Sequence, residues 1–241
     1  MFLSRITPTF FAFFVLLFQL NAFAVDRPDA SNYLQQIHSK LTLQHGVFSD
    51  EYPEQLMTAR FLPEEAKVLE LGGNIGRNTL VMASILKDPK NLVSLESDPD
   101  IVKLLESNRA MNHLDFHIEN SALSNIPLIQ NGWSTIPSQE VLPGYVRIST
   151  ISLEDLQKKY NITFDTLVAD CEGALYYILL KNQNVLKNIN LVIMENDYTD
   201  IQHFEYVQRS LRRAGFHLVY NEAGGWAPCD PWFYQVWEKN H

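Results

Sequence analysis

The sequence predicts an α/β domain built on a seven-stranded, mostly parallel sheet, with helices on both faces and an antiparallel hairpin at one edge. Three observations predict it. Apolar runs of strand length alternate with segments of helical period from residue 67 onward, and such alternation supplies the crossovers that parallel strands require. The first run breaks into glycines before a helical pattern, Val68-Leu69-Glu70-Leu71-Gly72-Gly73-Asn74-Ile75-Gly76, which is the layout of a strand, a ligand-binding turn and a helix. The last two runs are joined by a Gly-rich loop with no helix between them, which sets them antiparallel.

Each element follows from its local pattern. Residues 25–66 read as a helical lead-in, with Tyr33, Leu34 and Ile37 on one apolar face. Lys67–Leu71 is the first strand, and Asn74–Leu86 the first helix, closed by Asp88-Pro89. Leu92–Glu96 is the second strand. Asp100–Met111 is a helix with Ile101, Leu104, Leu105 and Asn108 along one side, and Phe116–Glu119 is a short third strand. Residues 123–147 carry Pro127, Pro137, Pro143, Gly132 and Gly144 and are expected to be irregular. Ser152 caps a helix that runs to Tyr160, with Asp155 as the acidic partner of a capping box. Thr166–Asp170 is the fourth strand, Ala174–Leu186 a helix and Leu191–Glu195 the fifth strand. Ile201–Ala214 is amphipathic, with Ile201, Phe204, Val207 and Leu211 on one stripe, and stops at Gly215. Phe216–Tyr220 and Trp232–Trp237 form the closing hairpin.

No Pro- or Gly-rich linker divides the 241 residues, so residues 67–241 read as one domain preceded by its lead-in. Hydrophobic residues make up 46%, ample for a core, and the net charge of −9 argues against a nucleic-acid partner, which needs a basic surface. Residues 1–24 stand apart: Arg5 precedes an unbroken apolar run from Phe10 to Phe18, and Ala22-Phe23-Ala24 follows. That order is a signal peptide cleaved after Ala24, or an uncleaved signal anchor, although the run is short for a span of ~20 residues. Either places the protein outside the cytosol or at a membrane through residues 1–24. Cys171 and Cys229 are too few for a disulfide framework, though an exported chain could pair them. Asn161-Ile162-Thr163 is a glycosylation sequon.

The chemistry concentrates at the strand ends. Gly72, Gly73 and Gly76 let a ligand approach the backbone, and the following helix points its N–H groups at the turn. A dinucleotide loop would carry a middle glycine where Asn74 stands. The acid at Glu70 suits a cationic amino-acid ligand better than a pyrophosphate, and S-adenosylmethionine (SAM) is such a ligand. Glu96, with Ser97 beyond it, ends the second strand, where an acid accepts both hydroxyls of an adenosine ribose. Asn120-Ser121-Ala122 follows the third strand and is placed to meet the adenine. Asp170-Cys171-Glu172-Gly173 puts two carboxylates after a central strand, where one orients an acceptor or takes its proton; Glu172 alternatively stabilises the next helix through its dipole. Glu195 is a further candidate at the end of the fifth strand. Cys171 has no adjoining histidine and reads as a small apolar residue. The seven histidines show no metal spacing, His113 and His117 straddling a turn and a strand, so no metal site is expected.

Over about residues 60–215 the sequence resembles the FkbM-type SAM-dependent methyltransferases. The resemblance rests on Leu69 to Gly76, Leu95-Glu96-Ser97-Asp98-Pro99, Asn108-Arg109-Ala110-Met111-Asn112, Asn120 to Ser124, Ile151 to Leu156, and Asp170-Cys171-Glu172-Gly173-Ala174. The chain departs from the family at Glu70 (usually Asp), Gly73 (Ala), Val168 (Lys) and Leu175 (often an acid). The resemblance implies a class I methyltransferase domain with a Rossmann-like sheet, SAM as cofactor, and methyl transfer to a hydroxyl on a small-molecule, sugar or lipid-linked acceptor. On that reading Glu70, Gly72, Gly73, Asn74 and Gly76 hold the methionine end. Glu96 and Ser97 hold the ribose, Asn120, Ser121 and Ala122 the adenine, and Asp170, Glu172 and Glu195 are the acceptor-side candidates, with Asp170 counted in the cofactor site as well. Residues 124–150 and 221–231 are expected to shape the acceptor pocket, where Trp133, Trp226 and Trp232 either stack on a sugar ring or enter the core. Two rivals stand beside this reading: an NAD-linked oxidoreductase, opposed by Asn74, and an exported binding domain without turnover, since a fold alone does not fix a function.

Overall fold

A computed structural model describes residues 25–240; residues 1–24, where a signal peptide or anchor is expected, lie outside the described residues. The lead-in forms two helices, α1 (Ala30–His38) and α2 (Tyr52–Phe61). The domain proper then runs β1 (Val68–Leu71), α3 (Arg77–Ile85), β2 (Leu92–Leu95), α4 (Pro99–Met111) and β3 (His117–Glu119). Five short strands follow: β4 (Ala122–Leu123), β5 (Leu128–Asn131), β6 (Ser134–Pro137), β7 (Val146–Ile148) and β8 (Thr150–Ile151). The chain continues through α5 (Leu153–Tyr160), β9 (Thr166–Ala169), α6 (Ala174–Lys181), β10 (Leu191–Glu195), α7 (Ile201–Arg213), β11 (Phe216–Glu222) and β12 (Tyr234–Lys239). No described helix is long and apolar enough to cross a membrane.

The main sheet has seven strands in the order β11-β12-β10-β9-β1-β2-β3. All neighbours are parallel except β12, which is antiparallel to both β10 and β11. The final hairpin therefore folds back so that its last strand sits inside the sheet and β11 takes the edge. From β1 the chain builds outward through β2 and β3, then returns to the other side of β1 to lay down β9 and β10. The carboxyl ends of β1 and β9 thus flank the switch point, where such sheets open a crevice.

Two buried clusters cover the two faces. Leu69 and Leu71 of β1 pack with Leu167, Val192 and the helices α5, α6 and α7. Val68 joins Leu80, Val81, Leu105 and the lead-in residues Leu34, Met57 and Phe61 on the other face. On α7, Phe204, Val207 and Leu211 are buried as their spacing requires, each worth ~1.5–3 kcal/mol on removal from water. Ser152 caps α5: its Oγ accepts from the Asp155 N–H at 3.0 Å and donates to the Asp155 carboxylate at 2.6 Å. Such a cap is worth ~1 kcal/mol.

Several bounds differ from expectation: the closing hairpin is Phe216–Glu222 and Tyr234–Lys239 rather than Phe216–Tyr220 and Trp232–Trp237, and three further differences lie closer to the switch point. The first helix begins at Arg77, not Asn74, because Asn74 and Gly76 hold left-handed φ values of 46° and 95°. The helix after β9 ends at Lys181 and is followed by a separate 3-10 turn, Gln183–Leu186, capped by the Asn182 side chain. Residues 123–147 are irregular only in part: 124–127 and 138–145 are, but strands form between and after them. β5 pairs with β6 through a tight turn at Gly132-Trp133 and with β7, both antiparallel. Pro127 and Pro137 bound these strands rather than interrupt them, which is where proline is tolerated in a sheet. Cys171 and Cys229 are both free thiols.

Candidate functional site

A cavity of about 240 Å³ lies at the carboxyl ends of β1, β2 and β9, just under the ~300–1,000 Å³ of ordinary small-molecule sites. Gly72 and Asn74 form its floor beside β1. The N–H groups of Gly72 and Gly73 both donate to the Leu95 carbonyl at 3.0 Å, folding the turn over the end of β2. Gly72 has φ +85°, and a Cβ there would stand 1.7 Å from the Asp170 carbonyl oxygen. Only glycine meets both constraints. Gly73 and Gly76 serve packing instead: a Cβ at Gly73 would meet Ser94 Oγ at 2.1 Å, and one at Gly76 would meet Leu105 at 2.4 Å. Neither lines the cavity.

Glu96 lies against the cavity wall and is 7% exposed. Its Oε2 accepts from the Asn74 N–H at 3.0 Å and its Oε1 from the Asp98 N–H at 2.8 Å. Each oxygen keeps a lone pair for a hydroxyl donor. Burial raises its pKa, against those backbone donors. Ser97 lines the cavity and donates through Oγ to Gln130 Oε1 at 2.9 Å, tying the site to β5. Ser121 and Ala122 line it too, whereas Asn120 turns its amide to the Glu96 and Ser97 carbonyls and braces the wall.

Glu70 is not in the cavity. Alternation along β1 sends it to the α3 face, where it is 2% exposed and accepts from Thr79 Oγ1 at 2.7 Å. Burial pushes its pKa up to about 7. The expected direct contact of Glu70 with a ligand is thus replaced by support from beneath the glycine turn.

The lead-in completes the turn, which the sequence reading did not anticipate. Glu51, at the start of α2, lines the cavity; its Oε1 accepts from Asn74 Nδ2 at 2.9 Å and from Arg77 Nη1 at 2.8 Å. Asn108 of α4, fully buried, donates to the Ile75 and His45 carbonyls and accepts from the Gln44 and His45 N–H groups. No local pattern marks Glu51 for this role, since it lies 19 residues before Glu70 in a segment readable only as helix.

Across the cavity stand Asp170, Cys171 and Glu172, with Tyr177, Lys181 and Trp133 near its rim. Burial raises the Asp170 carboxyl well above its usual range, and the carboxylates of Asp197, Glu51, Glu54 and Glu172 push it further. Glu172 is exposed, with a left-handed φ of 50°. Asp197 Oδ1 accepts from the Gly173 N–H at 2.7 Å and so anchors the loop before α6. Glu195 does not line the cavity but joins Asp170 and Glu54 of α2 in a carboxylate cluster, one oxygen of each lying within 4.8 Å of the others. Cys171 is a poor nucleophile, because burial raises its thiol well above the usual value. Residues 221–231 do not line the cavity: Trp232 stacks on Phe204 and Trp226 sets its edge on Phe233. Of the three tryptophans, Trp133 alone meets the cavity, 58% exposed on the β5–β6 turn.

No family model matches this sequence, and no curated protein matches it either. Among solved structures, the chain is similar to the O-methyltransferase from Bacillus cereus in complex with S-adenosylhomocysteine (SAH), at 14% identity and TM-score 0.45 over 88% of this chain and 90% of that one. It is similar to an rRNA methylase from Streptococcus thermophilus at 9% identity and TM-score 0.47, over 74% and 89% of the two chains. It is also similar to a protein of the NADB-Rossmann superfamily from Streptococcus agalactiae at 12% identity and TM-score 0.49, over 83% and 70%.

Proposed function

We propose that this chain is a SAM-dependent methyltransferase of the FkbM type, acting on a hydroxyl of a small-molecule, sugar or lipid-linked acceptor. The observation that carries the reading is the joining of a glycine turn without a middle glycine to the acid of the next strand, Asn74 N–H to Glu96 Oε2, on one wall of the switch-point cavity. The residues present fit the cofactor. Gly72 opens the floor, Glu96 keeps free lone pairs for ribose hydroxyls, and Ser121 and Ala122 leave a small-residue wall for adenine. SAM would supply an electrophilic methyl group. Asp170 faces the same cavity, where its carboxylate is placed to take a proton from an acceptor hydroxyl. Trp133 at the rim offers a stacking surface for a sugar ring. The net charge of −9 favours an uncharged or cationic acceptor over a nucleic acid.

Calorimetry with SAH and NAD tests this reading. Micromolar SAH binding, near −8 kcal/mol, with none to NAD is expected; NAD binding in preference to SAH overturns it. We further propose that residues 1–24 target the chain to a membrane with cleavage after Ala24. Mass spectrometry of the protein from its native host should find a terminal peptide beginning at Val25, or an intact Met1 terminus in the membrane fraction. An intact terminus in the soluble cytosolic fraction overturns the targeting.

A further inference from the structure

Glu54, Asp170 and Glu195 come from three separate parts of the chain: α2, the turn after β9, and the end of β10. One carboxylate oxygen of each lies within 4.8 Å of the other two. None of the three forms an ion pair with a lysine, arginine or histidine among the described residues. A second observation separates this cluster from an ordinary acidic patch. Glu54 is only 6% exposed, and its Oε2 is buried with no hydrogen-bond partner. Its carboxyl is turned onto that of Glu195, within hydrogen-bond reach. Two carboxyls buried against each other with no cation or donor beside them are strongly disfavoured as carboxylates. An apolar side chain at Glu54 would avoid that cost, since its neighbours on α2, Met57 and Phe61, enter the core.

We propose that Glu54, Asp170 and Glu195 bind one hard divalent cation beside the cavity. The donor set is all oxygen, with no thiolate or imidazole, which suits Mg²⁺, Mn²⁺ or Ca²⁺ rather than zinc or copper. The spacing suits it as well. Three oxygens at the full 4.8 Å would each stand about 2.8 Å from an ion at their centre; calcium–oxygen bonds run ~2.3–2.6 Å, so a closing of a few tenths of an ångström serves Ca²⁺ and a larger one serves Mg²⁺ at ~2.0–2.1 Å. The cation also accounts for α2. The lead-in helix packs against β10 and β12 and delivers the one ligand that the sheet edge does not supply. Asp170 is the ligand that also faces the cavity, so the ion would stand where an acceptor oxygen can reach it. The site rests on the three carboxylates and not on the methyl-donor reading.

The test is a Mn²⁺ titration of the full chain followed by electron paramagnetic resonance, with Mg²⁺ as competitor. One Mn²⁺ per chain should bind below about 1 mM and be displaced by Mg²⁺. Glu54→Gln keeps the shape of the side chain and removes one ligand. It should weaken Mn²⁺ by at least about tenfold, the lower end of what loss of even an outer-shell partner does. Asp100→Asn, at an exposed acid of α4, should leave binding unchanged. Circular dichroism of Glu54→Gln separates a lost ligand from a lost fold, and Glu195→Gln serves if Glu54→Gln does not fold. Absence of saturable Mn²⁺ binding by the wild type, or wild-type affinity in a folded Glu54→Gln, overturns the proposal. SAH calorimetry on the same preparation keeps the two readings apart: SAH binding without Mn²⁺ sinks the cation site alone, and Mn²⁺ binding without SAH sinks the cofactor reading alone.

Discussion

The Asn74 main-chain N–H donates to Glu96 Oε2 at 3.0 Å, so the glycine turn after β1 and the acid ending β2 are one unit. The bond fixes one oxygen of Glu96 and, with the Asp98 N–H on the other, aims the remaining lone pairs at the cavity. Glu96→Ala should therefore weaken SAH by about 1.5–3 kcal/mol, the worth of hydrogen bonds to a charged acceptor. It should also loosen the turn. Calorimetry reads the affinity, and an unchanged value removes Glu96 from the ribose site.

Glu70 makes a prediction about pH. Its folded pKa is about 7, against an ordinary 4.5, because it is buried on the α3 face. Between those two values the folded chain holds a proton that the unfolded chain has released. Stability therefore falls as pH rises through that window and levels off above it. The full difference is about 3 kcal/mol at 1.36 kcal/mol per unit. Glu70→Gln removes the titrating group and should flatten that part of the profile. Urea unfolding at several pH values between 4.5 and 8 reads the slope. A Glu70→Gln slope equal to the wild type's would mean that Glu70 ionises normally in the fold.

Much of the scaffold was legible because burial and local pattern agree. β10 is a continuous apolar run ending in Glu195, and its observed bounds are the expected ones. α7 carries its stripe at helical spacing, and Ser152 caps α5 as its position predicts. Where local signals oppose the outcome, the reading failed. Pro127, Pro137 and Gly132 are loop residues by composition, yet they bound or turn the β5–β6 hairpin. The face taken by Glu70 was illegible for another reason. All four residues of β1 are buried, so no polar alternation marks which side faces which helix layer. The strand-end acids were legible one by one. Glu51 and Glu54 were not, because the folding of α2 onto the sheet, a long-range event, brings them to the site.

Asp170→Asn should spare SAH binding, since the cavity wall that meets the ribose is formed by other residues. With any acceptor that the wild type methylates, turnover should fall by about 10²–10⁴, the usual contribution of a positioned acid or base. Parallel measurements of SAH affinity and SAH release separate the two effects. Loss of SAH affinity would move Asp170 to the cofactor side, and undiminished turnover would mean that the reaction proceeds by alignment alone.

Gly72→Ala tests the architecture beneath all of these. The residue combines φ +85° with an approach of 1.7 Å between a built Cβ and the Asp170 carbonyl oxygen. A left-handed conformation costs an alanine about 1–2 kcal/mol, and the contact adds to it, because the opposing atom is backbone held by the β1–β9 pairing. The Asp170 N–H itself donates to the Leu71 carbonyl at 3.1 Å, so the strand end cannot simply step aside. For a chain of this size each kcal/mol lowers the Tm by roughly 2–4 °C, so a fall of at least roughly 2–8 °C is expected from the φ term alone. SAH affinity should fall with it, because the displaced floor carries Asn74 and with it the hold on Glu96. Gly132→Ala isolates the φ cost: its φ of +55° is left-handed too, but its added Cβ meets nothing within 4 Å, so it should lose the φ share of the fall and none of the contact share. Calorimetric melting of both variants decides. A Gly72→Ala chain that melts with the wild type and binds SAH as tightly would show that the turn does not need its glycine and that the cavity floor lies elsewhere.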